Sequence, residues 1–376
     1  MNNINKMIKE AGWPRIIIAL FLLSMYVVSP FIGINLKAAL GDTLVRFGMN
    51  AILVLSLVPM IQAGTGLNFG MPLGVEAGLL GAVISIELGL KGVTGVFGAI
   101  VFSLPFALLF GWLYGHILNK VKGGEMMIAT YIGFSSVAIM CIMWLILPFK
   151  SPDMIWAYGG EGLRTTISVE NYWHKAFEKT LHINTDLLPL GEIVFFIILA
   201  FFIWIFFRTR SGYAMKAVGT NDMFARATGI NIDKVRVQSV VMSTVLSAVG
   251  IIIYQQSFGF VQLYLAPFYM AFPAIAAILI GGASVNKVTI ANVVVGTFLF
   301  QGILTMTPTV VNGLIKTDMS ETIRIIVSNG MILYALTRKD GAGIEATIII
   351  IINIGTILFI KNFFILFSTS STILSC

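Results

Sequence analysis

Arg208-Thr209-Arg210-Ser211-Gly212-Tyr213-Ala214-Met215-Lys216-Ala217-Val218-Gly219-Thr220-Asn221-Asp222-Met223-Phe224-Ala225-Arg226-Ala227-Thr228-Gly229-Ile230-Asn231-Ile232-Asp233-Lys234-Val235-Arg236 is the most polar stretch of an otherwise apolar sequence. Its punctuation is regular. Gly219 closes one short helix. Asn221 caps the next, with Asp222 well placed against the positive helix N-terminus. Gly229 ends that helix, and Asn231 with Asp233 starts a third. The spacing therefore predicts a helix of about two turns over Asp222–Thr228, standing between two apolar spans. A helix that short is marginal alone in water and needs a partner surface to hold it. Met223, Phe224 and Ala227 give such a partner an adaptable apolar face.

The rest of the composition explains why this stretch stands out. The chain has 376 residues, of which 57% are hydrophobic and 11% charged, against about 25% charged in a soluble domain. Such a chain cannot cover itself with polar surface, so lipid must be its main solvent. The formal charge of +7 does not point to nucleic acid. The Lys and Arg residues cluster at the ends of apolar runs, as the positive-inside rule expects. His116, His174 and His182 have no metal-ligand spacing, and Cys141 and Cys376 define neither a disulfide framework nor a metal site. No Gly-x-x-x-x-Gly-Lys-Ser/Thr loop occurs and no nucleophile–base pair is apparent, so neither a catalytic residue nor a bound cofactor is expected.

An all-α polytopic membrane protein of about ten helices follows. Lys6, Lys9 and Arg15 precede the first span, Ile16–Leu36, which is too long for a signal peptide and lacks a cleavage pattern. Lys37, Asp42 and Arg46 read as a short outer connection, and the second span as Phe47–Gly64. Further spans are expected from Gly64 to Leu90, Val93 to Leu118, Met126 to Pro148, Leu190 to Phe207, Val237 to Gln256, Gly259 to Gly282, Val288 to Met306 and Thr322 to Leu336. A cytoplasmic N-terminus puts Lys120, Lys122, the Arg208–Arg236 cluster, Lys287 and Arg338-Lys339 on one side. The polar segment 149–189 then faces out, with Trp156, Tyr172 and Trp173 as an interfacial belt or part of a docking surface.

Five spans precede that segment and five follow it. Residues 1–148 and 190–340 are thus expected to be two inverted repeats, with the loop 208–236 in the second and an apolar tail, 341–376, beyond. Each repeat has a Gly/Pro-interrupted stretch after its second span, Gly64–Gly78 and Gly259–Gly282. Interrupted segments in matching places point to a translocation path. In the first, glycines at 66, 70, 74 and 78 form a strip that another helix can approach closely. Asn50, Gln62 and Asn68 either line the path or make interhelical hydrogen bonds. Glu76 is deep enough that it must be neutral, paired or wet; it is either a proton relay or a structural carboxyl.

The loop also carries a resemblance. Met215-Lys216-Ala217-Val218-Gly219-Thr220-Asn221, followed by Ala225-Arg226-Ala227-Thr228-Gly229-Ile230-Asn231, resembles the cytoplasmic loop of the branched-chain amino acid and ribose type of ABC importer permease. That family includes simple-sugar and nucleoside permeases. Ala276-Ala277-Ile278-Leu279-Ile280-Gly281-Gly282-Ala283-Ser284 looks like a second signature, and the similarity runs from about Arg46 to Arg338.

The resemblance implies that the short helix docks into a groove on a separate ATPase subunit and transmits its closure. Gly219, Asn221, Asp222, Met223, Phe224, Arg226 and Gly229 are then the coupling residues. It further implies a second permease copy or sister permease, an extracytoplasmic solute-binding protein and a plasma-membrane location. Asn68-Phe69-Gly70, Thr165-Thr166-Ile167 and Leu188-Pro189 resemble the nucleoside branch, although Pro72 stands where that branch carries Glu. A simple sugar or nucleoside is the leading solute class, with a branched-chain amino acid as alternative. An ion-coupled secondary transporter and a membrane scaffold remain as competing readings.

Overall fold

The computed structural model describes residues 13–121, 123–156, 162–181, 189–285, 287–315 and 320–337. Lys122, Arg338-Lys339 and the tail 341–376 lie outside the described residues. Helix α1, Trp13–Val28, runs on into a 3-10 turn at Ser29–Ile32. It is followed by α2 (Leu36–Leu55), α3 (Val58–Gln62), α4 (Met71–Glu87), α5 (Gly92–Lys120) and α6 (Glu125–Ile146). Strand β1 (Thr166–Ser168) and α7 (Ala176–Leu181) lie between the halves. The second half comprises α8 (Leu190–Phe206), α9 (Arg210–Thr220), α10 (Asp222–Ala227), α11 (Ile232–Phe258), β2 (Phe260–Gln262), α12 (Ala266–Ile280), α13 (Ile290–Ile315) and α14 (Ser320–Thr337).

Among the described residues six helices or joined helices are long and apolar enough to cross a membrane, and α8 with α9, bent by 77°, makes a seventh candidate. Large side chains such as Val101, Ile139, Ile197 and Phe202 are exposed on their outer faces, where lipid would cover them. Helix α4 is enclosed instead: from Met71 to Ile86 nearly every residue is buried, packed by α5, α6, α11 and α12. The glycine strip accounts for part of this. A methyl group at Gly74 would stand 2.6 Å from the Thr244 carbonyl oxygen, and one at Gly78 2.6 Å from that of Ala248. The backbones of α4 and α11 therefore touch as only small residues permit. Gly70 and Gly66 leave this seam and face Tyr114 and Met126.

Three sequence expectations need correction. Lys37, Asp42 and Arg46 form no outer connection: Asn35 accepts a hydrogen bond from the Lys37 amide and starts a helix that carries all three, Lys37 and Asp42 exposed and Arg46 half-buried. Asp42 and Arg46 line a cleft rather than a loop, and hydropathy alone cannot separate the two. The seventh span begins at Ile232, five residues before the expected Val237, because the helix that Asn231 caps as expected runs on into it without a break. Trp173 is no belt residue. It is buried against Gly95, where only glycine leaves room for the indole.

The two ends of the bundle differ. At one end Arg15 donates to the Gly282 carbonyl, Arg236 pairs with Glu125, and Asn119 donates to the Asp233 carbonyl. The basic loop 208–236 lies at this end. At the other end residues 149–156 and 162–181 are fastened down. Strand β1 pairs antiparallel with β2, Thr166 opposite Gln262, and Glu87 accepts from the Lys150 and Ser151 amides.

Candidate functional site

The basic loop follows its sequence punctuation except at Gly219, which does not close the first helix: α9 runs on to Thr220 and Asn221 ends it. Helix α8 ends at Phe206, and the chain turns sharply on Thr209, whose hydroxyl donates to the Phe206 carbonyl and accepts from the Gly212 amide. Arg208 lies over the Trp204 ring at 3.6 Å, anchoring the bend by a cation–π contact. Helix α9 then buries Gly212, Met215 and Val218.

Asn221 links α9 to α10. Its side chain accepts from the Phe224 amide at 3.0 Å and so caps α10 at the expected residue. Asp222 follows in the first turn, favourable against the helix dipole. At the far end the Ile230 amide returns to the Ala225 carbonyl, with Gly229 at φ +80°, a conformation that favours glycine. Helix α10 ends at Ala227, one residue before the expected boundary. Asn231 caps α11 by accepting from the Lys234 amide.

The orientation of α10 is the telling feature. Ala225 is wholly buried and holds the helix to the body. Met223 is 81% exposed and Phe224 62% exposed, and Arg226 and Ala227 are exposed beside them. A capped two-turn helix thus presents two large apolar side chains outward at the basic end of the bundle. Exposed apolar groups gathered in this way mark an interaction surface.

Behind the short helix lies the interrupted segment of the first half. Gly64 sits at φ +68° and packs directly on Gly219. Gln62, two residues earlier, donates from Nε2 to the Val288 carbonyl at 2.5 Å, which ties α3 to the turn between α12 and α13. Asn68 is buried further in. It donates to the Ser243 hydroxyl at 2.8 Å and accepts from the Tyr114 hydroxyl at 3.1 Å, joining the Gly64–Gly70 segment to α5 and α11. Glu76 is buried in α4 and accepts from the Ser136 hydroxyl at 3.0 Å. Asn50 is half-buried and donates to the Arg46 carbonyl in its own helix. Asn68 and Glu76 thus lie on the interrupted stretch Gly64–Gly78 and Gln62 just before it, whereas Asn50 lies earlier, in α2, and bonds within its own helix.

Two buried or half-buried charged residues escape a sequence reading. Glu192 lies in α8 and accepts from Gln256 Nε2 at 2.8 Å. Arg46 lies well inside α2. The signal that could have found Arg46 was its i,i+4 spacing from Asp42, which marks one polar helix face. Among the described residues no group of three His, Cys, Asp or Glu side chains is arranged to hold a metal ion.

Comparison with known proteins agrees with this architecture. Residues 39–336 match the family model described as branched-chain amino acid transport system / permease component. The chain belongs to this permease family. The permease is 24% identical over 311 residues to the autoinducer 2 import system permease protein LsrC of Enterobacter sp. (strain 638), covering 79% of this chain and 81% of that one. It is 24% identical over 257 residues to the nucleoside ABC transporter permease protein NupB of Lactococcus lactis subsp. cremoris (strain MG1363), covering 65% of this chain and 67% of that one. NupC of the same organism is 25% identical over 192 residues, covering 46% and 59%. The permease is a multi-pass membrane component of a transport system, and membership of this family implies ATPase and solute-binding partners.

Proposed function

We propose that this permease forms the translocation path of an ATP-driven ABC importer and that α10 is where a separate ATPase subunit grips it. The observation that carries the reading is the outward display of Met223 and Phe224 on a capped helix whose neighbour, α9, rests on the interrupted segment through Gly219 and Gly64. The apolar pair fits a groove on a partner. Asn221, Asp222 and Gly229 set the ends of the helix, and Arg226 adds a charge at its edge. A push on α10 would travel through Gly219 to Gln62–Gly64 and from Gln62 to the Val288 turn, reaching the interrupted segments of both halves.

In this reading the basic end faces the cytoplasm and the N-terminus starts there. The short helices α4, α12 and α14 complete ten spans with the seven long candidates, as inverted repeats over 1–148 and 190–340. Asn50, Gln62, Asn68 and Glu76 lie along or beside the path. A second permease copy or a sister permease completes the channel, and an extracytoplasmic binding protein delivers solute to the segment 149–189. The solute is a simple sugar or nucleoside; the nucleoside is supported by the names of NupB and NupC, while that of LsrC gives autoinducer 2. The decisive experiment reconstitutes the permease with its ATPase and binding protein in vesicles and compares uptake for the parent and Met223→Asp. Coupled uptake that survives this change, or uptake driven by an ion gradient alone, contradicts the reading.

A further inference from the structure

A cleft of about 690 Å³ opens at the end of the bundle opposite α10, between α2, the end of α11, α13 and the start of α14. Its rim carries Asp42, Glu321 and Arg324, with Glu321 and Arg324 paired to each other. Its wall carries Thr305, Thr309 and Phe258, the last 40% exposed.

Arg46 lines the cleft one turn below Asp42. It is ten residues into the span Leu36–Gln62, which at 1.5 Å per residue places it about 15 Å from the helix start. Thr305 lies ten residues from the end of α13, so by the same rise it reaches about the same depth from the opposite wall. The Arg46 guanidinium is half-buried and makes no hydrogen bond or ion pair among the described residues. An arginine at such depth is costly unless it has a partner or water, and it marks a functional site by default.

We propose that this cleft is a solute-contact site of the permease, and that Arg46 is a specificity-determining residue that reads a carbonyl-type acceptor edge on a neutral, hydroxylated solute. The proposal rests on the reading of the chain as a solute-translocating permease and deepens it. Among the described residues two carboxylates and two guanidinium groups leave the cleft as a whole without net charge, which favours a neutral solute, while Asp42, Glu321 and Arg324 lie at the rim and Arg46 alone stands at the depth of Thr305, where the local field is positive. The planar guanidinium offers a fork of donors to a paired acceptor edge. The Phe258 ring offers a flat apolar face. Thr305 and Thr309 offer hydroxyls. A ring with carbonyl oxygens joined to a sugar, as in a nucleoside, meets all three, whereas a simple sugar lacks the acceptor edge.

The test has two arms, both on the intact permease–ATPase complex with Cys141 and Cys376 replaced by serine, the binding protein being added for uptake. In the first, Thr305→Cys is labelled from the face opposite α10 with small anionic and cationic thiol reagents. The anionic reagent is expected to react about tenfold faster, as a focused positive field requires, and Arg46→Gln should abolish that bias. In the second arm, uptake of guanosine, whose O6 and N7 form a paired acceptor edge, and of ribose is measured. Arg46→Gln is expected to raise the ratio of the guanosine KM to the ribose KM about tenfold or more. Arg46→Lys keeps the charge but not the fork, so it should retain the labelling bias and still lose guanosine affinity. An unreactive Thr305→Cys, or equal rates for both reagents, overturns the site. An unchanged ratio in an active Arg46→Gln complex overturns the role of Arg46. A parent that imports ribose alone, or neither probe, overturns the acceptor edge together with the solute class, while the labelling arm still decides whether the cleft is wet and cationic.

Discussion

A methyl group at Gly64 would stand 2.8 Å from the Cα of Gly219, and one at Gly219 would overlap the Gln62 carbonyl oxygen. The two glycines thus lay the backbone of the interrupted α3–α4 connection directly on the end of α9. Gly219→Ala should force these backbones apart, at about 1–3 kcal/mol for an overpacked contact. The expected phenotype is a folded permease that supports ATP hydrolysis but imports more slowly. Parallel assays of hydrolysis and uptake on one vesicle preparation check it, and equal coupling ratios in variant and parent would count against it.

Asn68 should matter first as a joint. Its amide is held by Ser243 and Tyr114 in a fully buried position. Asn68→Leu leaves both hydroxyls without that partner, at a cost of about 1–3 kcal/mol. Tyr114→Phe removes only one of the bonds and should cost less, about 1 kcal/mol. Denaturation in detergent checks the order. Equal midpoints for parent and Asn68→Leu would show that the bonds carry no stability.

Arg236 and Glu125 form an ion pair at 2.6 Å with side chains only 8% and 18% exposed. The pair ties α11 to α6 beside the loop. Arg236→Ala strands a largely buried carboxylate, and the expected loss is about 2–3 kcal/mol, the range for a hydrogen bond to a charged group. The double change Arg236→Ala with Glu125→Ala should recover part of it. A double variant that loses the full sum of the two single changes would remove the coupling.

His174 gives the segment 149–181 a pH dependence. Burial, and then the nearby charges of Lys179 and Lys175, push its imidazole below the usual value. The native state therefore binds this proton less readily than the unfolded chain. The stabilising contribution is complete above the unfolded value of about 6.5. It is lost as pH falls below that value and through the lower folded one. Thermal midpoints should drop between pH 7 and pH 5, and His174→Gln should flatten the curve. Superimposable pH profiles for variant and parent would refute the assignment.

The loop was legible because its information is local. Asn221, Asn231 and Gly229 announce caps and a stop through their own backbone chemistry, and each acts as the residue type suggests. The glycines at 74 and 78 announced a close approach in the same way, but not which helix would approach. Three-dimensional partnerships were harder to read. Asn68 does not announce Tyr114 or Ser243, which lie far along the chain. Arg46 was misplaced outright, because a hydropathy reading assigns a charge to water and cannot see a polar cleft within a bundle. The strands at 166–168 and 260–262 were missed because three residues carry no alternation to count.

The account stands or falls on whether the apolar tip of α10 couples an ATPase to the path. In vesicles containing the permease, its ATPase and its binding protein, Met223→Asp together with Phe224→Asp should release the ATPase subunit and abolish ATP-dependent uptake, because the changed side chains are exposed and the fold does not need them. Uptake at the parent rate, with the ATPase still bound to the doubly substituted permease, would contradict it.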